Sequence, residues 1–180
     1  MLEKAFFERD AETVARNLLG KHLVVGSADG VKRSRITETE AYVGTHDLAC
    51  HAAKGRTKRT EVMFGAAAHA YVYLIYGMYD LFNIVTGDEG DAQAVLIRAG
   101  EPTENIEGRT DGPGRFARAL GITRAHNTLS VLESDLHLTE GDPPSDIIST
   151  PRIGVDYAGD WAQAPLRFYD ANSKWVSKPR

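Results

Sequence analysis

The chain predicts an α+β fold: a single domain with a curved antiparallel β-sheet core, a protruding β-hairpin and surrounding helices. Two stretches carry that reading. Ala70 to Val85, AYVYLIYGMYDLFNIV, is a pair of apolar runs broken at Gly77, the pattern of two strands joined by a short turn. His22 to Val25 and Val31 to Val43 form a second strand pair, joined through Ala28-Asp29-Gly30. Residues 36–43, 71–85 and 92–99 are expected to share the sheet, with helices over 10–19 and 112–121 packed around it.

Each element has a local reason. Asp10 can cap a helix in which Val14, Ala15, Leu18 and Leu19 share one face, and Gly20 suits its stop. On the second strand Ile36, Glu38, Glu40 and Tyr42 are expected on one side, and Thr37, Thr39, Ala41 and Val43 on the other. Tyr71 to Tyr76 is apolar or aromatic throughout, which implies cover on both faces. The hairpin tip, Tyr76 to Tyr79, carries large apolar side chains where water-facing turns favour Asn, Asp and Gly, so cover is expected from another part of this protein or from a partner. Ala92 to Ala99 reads as a strand bearing Arg98, followed by an acidic linker. Asn127 to Asp135 reads as one or two further strands. Asp142-Pro143-Pro144 marks a turn, and Arg152 to Tyr169 closes the domain with Trp161 and Phe168 as anchors.

At 180 residues and 19.7 kDa, residues 1–180 suit one domain, and 42% hydrophobic with 26% charged residues is ordinary for a soluble protein. No apolar run approaches the roughly 18 residues that span a bilayer, and the acidic MLEKAFFERDAE start is unlike a signal peptide. A lone cysteine, Cys50, excludes an internal disulfide framework and fits a reducing compartment, so a cytoplasmic protein is expected. The net charge of −4 argues against holding nucleic acid by bulk electrostatics. Bases nevertheless cluster at Lys32, Arg33 and Arg35, and again at Lys54, Arg56, Lys58 and Arg59.

Several residues invite chemistry. Glu38 and Glu40 stand at i and i+2 between apolar neighbours, a setting for a general base, a metal ligand or merely a polar edge strand. Arg98, within an apolar run, needs a carboxylate partner. His46, Cys50 and His51 lack the second ligand pair that structural zinc needs. The basic loop 54–60 suits phosphate contacts. The Gly112-Pro113-Gly114-Arg115 helix start offers backbone N–H groups beside an arginine, again a phosphate setting, though without the P-loop pattern.

Taken together, ETEAY at 38–42, His51, VMFG at 62–65, AYVYLIYGMY at 70–79 with Asn83, VLIRAGEP at 95–102, GPGR at 112–115 and the closing RIGV and LRFY closely resemble the alkyladenine (3-methyladenine) DNA glycosylase family. The resemblance runs over nearly the whole chain. It implies Glu40 as the base that activates water, Arg98 beside it, and Ile153 holding that water through its backbone carbonyl. Tyr42, His51 and Tyr73 would stack the extruded base, the backbone near Ala49 and His51 would read its edge, and Asn83 would reject guanine. Tyr76 would be the wedge in the minor groove, with Met78 beside it. Lys54, Arg56, Lys58, Arg59 and Arg115 are the expected phosphate contacts. The implied partner is double-stranded DNA with damaged purines, bound by a monomer without metal or cofactor, and near the nucleoid if the source is bacterial.

Three departures from the family pattern stand out: Ala66-Ala67-Ala68 where a Pro/Gly-rich turn is common, Cys50 where a small residue is usual, and Asp80 just past the wedge. Two alternatives use fewer of these features. A non-catalytic reader of distorted duplexes needs the wedge but not Glu40 or Arg98, and a metal-dependent hydrolase would use Glu38, Glu40 and His51.

Overall fold

The computed structural model describes residues 1–178. Two helices open the chain, α1 (Lys4–Phe7) and α2 (Ala11–Leu18). The strands β1 (His22–Ser27) and β2 (Gly30–Tyr42) follow, then β3 (Ala70–Ile75), β4 (Tyr79–Thr86) and β5 (Gln93–Glu104). After α3 (Pro113–Leu120) come three short strands, β6 (Leu136–Thr139), β7 (Ile147–Thr150) and β8 (Arg167–Asp170). The sheet runs β3-β4-β5-β2-β1-β6, β8 joins β2 and β7, and every pairing is antiparallel. This is the curved antiparallel α+β architecture expected from the sequence.

The two faces of the sheet differ chemically. Val72 of β3, Phe82 and Ile84 of β4, and Val95 and Ile97 of β5 point into the main core, where they meet Leu18 of α2 and Phe116 and Leu120 of α3. Alternate residues of the same strands, Tyr71, Tyr73, Asn83, Leu96 and Arg98, line a cavity on the other face. The period of two in a strand thus separates a dry core from a polar, ring-lined hollow. Asp10 caps α2 by accepting from the Thr13 amide at 2.9 Å, and the Thr39 hydroxyl of β2 donates to the Ala15 carbonyl, fastening helix to sheet.

Several expectations need correction. Ile36 does not share a side with Glu38: the register slips between Ile36 and Thr39, and Ile36 joins the main core with Ala41. A bulge adds a residue to one strand and reverses the alternation beyond it. Strand β5 continues to Glu104, so Glu101 and Glu104 are strand residues paired with β2 rather than parts of a linker. Residues 127–135 form turns with a single bridge, His69 to Ser130, and the strand begins only at Leu136. There Asn127 and Thr128 bond the outer edge of β3, at Val72 and Ala70, so the segment covers an edge instead of forming a strand. Tyr79 opens β4 opposite Ile75, leaving Tyr76, Gly77 and Met78 as the tip. Phe168 is fully buried as expected, whereas Trp161 packs at the core margin.

Candidate active site

Glu40 is fully buried at the edge of the cavity. Three groups hold its carboxylate. The Ile153 amide donates to Oε1 at 2.8 Å, Arg98 Nη1 lies 3.2 Å from the same oxygen, and the Tyr42 hydroxyl donates to Oε2 at 2.8 Å. Tyr42, Arg98 and Ile153 all line the cavity, so the carboxylate is bonded to three groups of its wall. The bond from Ile153 runs through its N–H. Burial, then the Glu40 charge, push the Tyr42 phenol well above its ordinary value, so it stays a donor. Burial alone would weaken the Arg98 cation; Glu40 and then Glu38 more than offset this and keep it charged.

Glu38 sits one pleat away in a different setting. Arg167 Nε reaches its Oε1 at 2.6 Å, Arg98 Nε at 3.3 Å and the Ser177 hydroxyl at 2.7 Å, while the Ser177 amide donates to Oε2 at 2.7 Å. Arg98 therefore bridges both glutamates. A second buried pair lies nearby: Arg152 meets Asp47 at 2.5 and 2.8 Å and stacks over the Tyr42 ring at 4.8 Å. Asp47 also accepts from the amides of Val43 and Ala49, which fixes the loop beside the cavity. The sequence pattern marks Glu38 but not Arg167, Ser177, Asp47 or Arg152. Asp47 and Arg152 are 105 residues apart, and no local pattern links them.

The cavity measures about 550 Å³. Tyr42, His51 and Tyr73 line it, and the His51 and Tyr73 rings meet edge to face with centroids 4.6 Å apart. The Tyr71 hydroxyl is 2.9 Å from His51 Nδ1 and anchors that ring. Burial, helped by Arg59 and Lys54, pushes the His51 imidazole down to about 4, so it is neutral at neutral pH. Burial likewise raises the Tyr73 and Tyr71 phenols. Asn83 is buried in the wall, its amide donating to the Tyr71 carbonyl at 3.1 Å. Ala49 also lines the space. Cys50 does too, but burial raises its thiol to about 11, which leaves it protonated and poorly nucleophilic.

The hairpin tip stands at the mouth. Tyr76 is 84% exposed and Met78 62% exposed, and no described residue covers them. Tyr76 and Gly77 both take positive φ, 53° and 69°, with the Met78 amide bonding the Ile75 carbonyl. Gly77 suits that backbone, but Tyr76 adopts it at a cost. Beside the tip, at the start of β4, Tyr79 packs on Gly114 of α3, where a Cβ would come within 2.7 Å of the ring. Asp80 does not stand as a bare negative charge: Arg124 pairs with it at 3.2 Å.

Lys54, Arg56, Lys58, Arg59 and Arg115 are all exposed. Arg59 lies over the Tyr73 ring at 5.0 Å and Arg56 over the Phe64 ring at 5.0 Å. Arg115 lines the cavity beside the α3 N-terminus, partly engaged by Asp111 at 3.5 Å. A further exposed ring, Tyr157, lines the same space and was not singled out in the sequence.

The sequence model of a family described as methylpurine-DNA glycosylase matches residues 5–174. A Myxococcus xanthus protein provisionally named 3-methyladenine DNA glycosylase is 56% identical, covering 98% of this chain and 93% of its own length. Relatives with the same provisional name from Legionella pneumophila (52% identical, 98% of each chain) and Methanocella arvoryzae (49%, 99% of this chain and 96% of its own) agree. The protein is a DNA glycosylase, an enzyme of DNA repair. It belongs to the methylpurine-DNA glycosylase family.

Proposed function

We propose that this enzyme, acting as a monomeric single domain on duplex DNA, flips alkylated or deaminated purines into the aromatic cavity and hydrolyses their glycosidic bond. The observation that carries the reading is Glu40: a buried carboxylate, held by Arg98, Tyr42 and the Ile153 amide, behind a ring-lined cavity whose mouth bears an exposed apolar tip.

A stacked base hides its glycosidic bond, and extruding it costs a few kcal/mol. Tyr76, with Met78 beside it, would fill the gap left in the duplex, which explains an apolar turn directed at water. Tyr42, His51 and Tyr73 would restore stacking, worth roughly 1–3 kcal/mol per ring contact. Neutral His51 suits this slot, because an imidazolium would repel a cationic 3- or 7-methylpurine. Asn83 in the wall would limit bulk at the base edge, disfavouring the 2-amino group of guanine, and the Ala49 and His51 backbone would read that edge. Lys54, Arg56, Lys58, Arg59 and the α3 N-terminus with Arg115 would hold phosphates.

In the chemical step the bond between C1′ and the purine N9 breaks, its electron pair leaving with the base. Water oxygen bonds C1′, and a water proton passes to Glu40. A carboxylate offers about four acceptor sites. The three protein donors leave Oε2 able to accept from water, with the Ile153 carbonyl as a further support. A methylated cationic purine leaves as a neutral base, whereas hypoxanthine departs as an anion that takes up a proton from solvent, while Glu40 returns its own proton to solvent. The cage around Glu38 and Glu40 is built of arginine, amide and hydroxyl donors, which is a poor setting for a metal cation. The hydrolytic mechanism needs no cofactor.

The test is product analysis on duplexes holding hypoxanthine, 1,N6-ethenoadenine or methylated purines. Free base and an unbroken strand with an alkali-labile abasic site are expected. Direct strand cleavage, or no released base, would contradict the proposal.

A further inference from the structure

We infer that Tyr157 sets the balance between 6-amino and 6-oxo purines in the slot, by moving the hydrogen bond of its hydroxyl between the Ala49 carbonyl and the bound base. The inference rests on the function proposed above and concerns the same cavity. Tyr157 is 71% exposed, yet it lines the cavity, and its hydroxyl donates to the Ala49 carbonyl at 3.3 Å. Its neighbours Val155 and Ala158 are buried against Ala49, so the ring stands on a fixed base rather than a loose loop. Ala49 is fixed in turn, since its amide donates to Asp47, which Arg152 holds. The result is a rigid acceptor at the cavity wall whose present donor is a rotatable hydroxyl.

The bond between them is replaceable: 3.3 Å exceeds the usual hydroxyl-to-carbonyl distance of about 2.7–2.8 Å. A 6-amino purine brings donors. It can use the Ala49 carbonyl, where it competes with Tyr157, or the lone pairs of the hydroxyl itself. A 6-oxo purine presents the O6 acceptor in place of that amino group, with its N1–H donor beside it. For it, the hydroxyl turns from Ala49 and donates to O6. Tyr157 therefore favours the oxo base: its hydroxyl is the donor that O6 requires, whereas the amino base finds an acceptor with or without it, at the hydroxyl or at the freed Ala49 carbonyl.

The experiment compares wild type with Tyr157→Phe, which keeps the ring and removes only the hydroxyl. Release of hypoxanthine and of 3-methyladenine from duplex DNA is measured as kcat/KM. The ratio of hypoxanthine to 3-methyladenine release should fall about three- to tenfold in the variant, the worth of one hydrogen bond. Inhibition by the two free bases should shift in the same sense, without the chemical step. An unchanged ratio, or one moved the other way, would overturn the role of Tyr157 while leaving the proposed function intact. A wild type that releases neither purine would overturn both.

Discussion

Glu38 and Glu40 lie two residues apart on β2 and share Arg98, but their surroundings assign them different work. Both oxygens of Glu38 are committed, to Arg167, Arg98 and Ser177, with no group of the cavity wall besides Arg98 among them. Glu38→Gln should therefore act on folding. It leaves Arg167 facing a neutral amide, and breaking a buried pair costs roughly 3–5 kcal/mol, read as a lowered denaturation midpoint. Little change in midpoint would contradict that role. The ETE alternation was enough to mark both carboxylates, but it could not rank them, because the ranking depends on Arg167, Ser177 and Ile153, all more than a hundred residues away.

His51 gives a pH signature at the same scale. Its folded pKa of about 4 lies below the ordinary histidine value of 6.5. Between those values the unfolded chain binds more protons than the folded one, so stability is complete above pH 6.5 and declines as pH falls towards 4. In His51→Gln, part of the acid sensitivity in that window should vanish from a series of thermal melts. An identical pH slope in both proteins would count against a neutral, desolvated imidazole.

At the scale of elements, the hairpin and its supports matter most. Ala68 enters β3 with φ at 65° and no exposed surface, a left-handed conformation that disfavours any residue with a Cβ. Ala68→Gly should recover much of the roughly 1–2 kcal/mol cost of that conformation, partly offset by unfolded-state entropy, and raise the melting temperature. A lowered melting temperature would show that the backbone is unstrained. Gly114 permits α3 to touch the Tyr79 ring, so Gly114→Ala must displace either the helix or the tip end of the hairpin. Tyr76→Ala, an exposed change, should weaken binding to a flipped lesion more than to a duplex already carrying an abasic gap. Equal losses would argue against a wedge.

These elements were unevenly legible. The α2 cap, the strand pairs and the hairpin follow from local chemistry: an acceptor at Asp10, a turn at Ala28-Asp29-Gly30, a break at Gly77. The extension of β5 was hidden because Glu101, Pro102 and Glu104 look like a linker, and only pairing with β2 draws them into the sheet. The edge cover formed by Asn127 and Thr128 is not legible locally, because it depends on where the edge of β3 lies. The side that Ile36 takes cannot be read from its own strand, because a bulge is a property of two strands.

At the scale of the molecule, a net charge of −4 coexists with exposed Lys54, Arg56, Lys58 and Arg59, of which Arg59 lies over the Tyr73 ring of the cavity wall. DNA binding should be modest and salt-sensitive, carried by a few local contacts. Replacing Arg56 or Lys58 by alanine should lower the slope of log K against log salt by about one while weakening all duplexes alike. An unchanged slope would remove that residue from the interface. No helix among the described residues is long and apolar enough to cross a membrane.

The account turns on Glu40 as the group that readies water beside an extruded purine. Its most direct test is single-turnover release of hypoxanthine by Glu40→Gln, an exchange that keeps size and removes charge. Release slowed by about 10²–10⁴-fold, with the melting profile and lesion binding largely retained, is predicted. Release at the wild-type rate would contradict it.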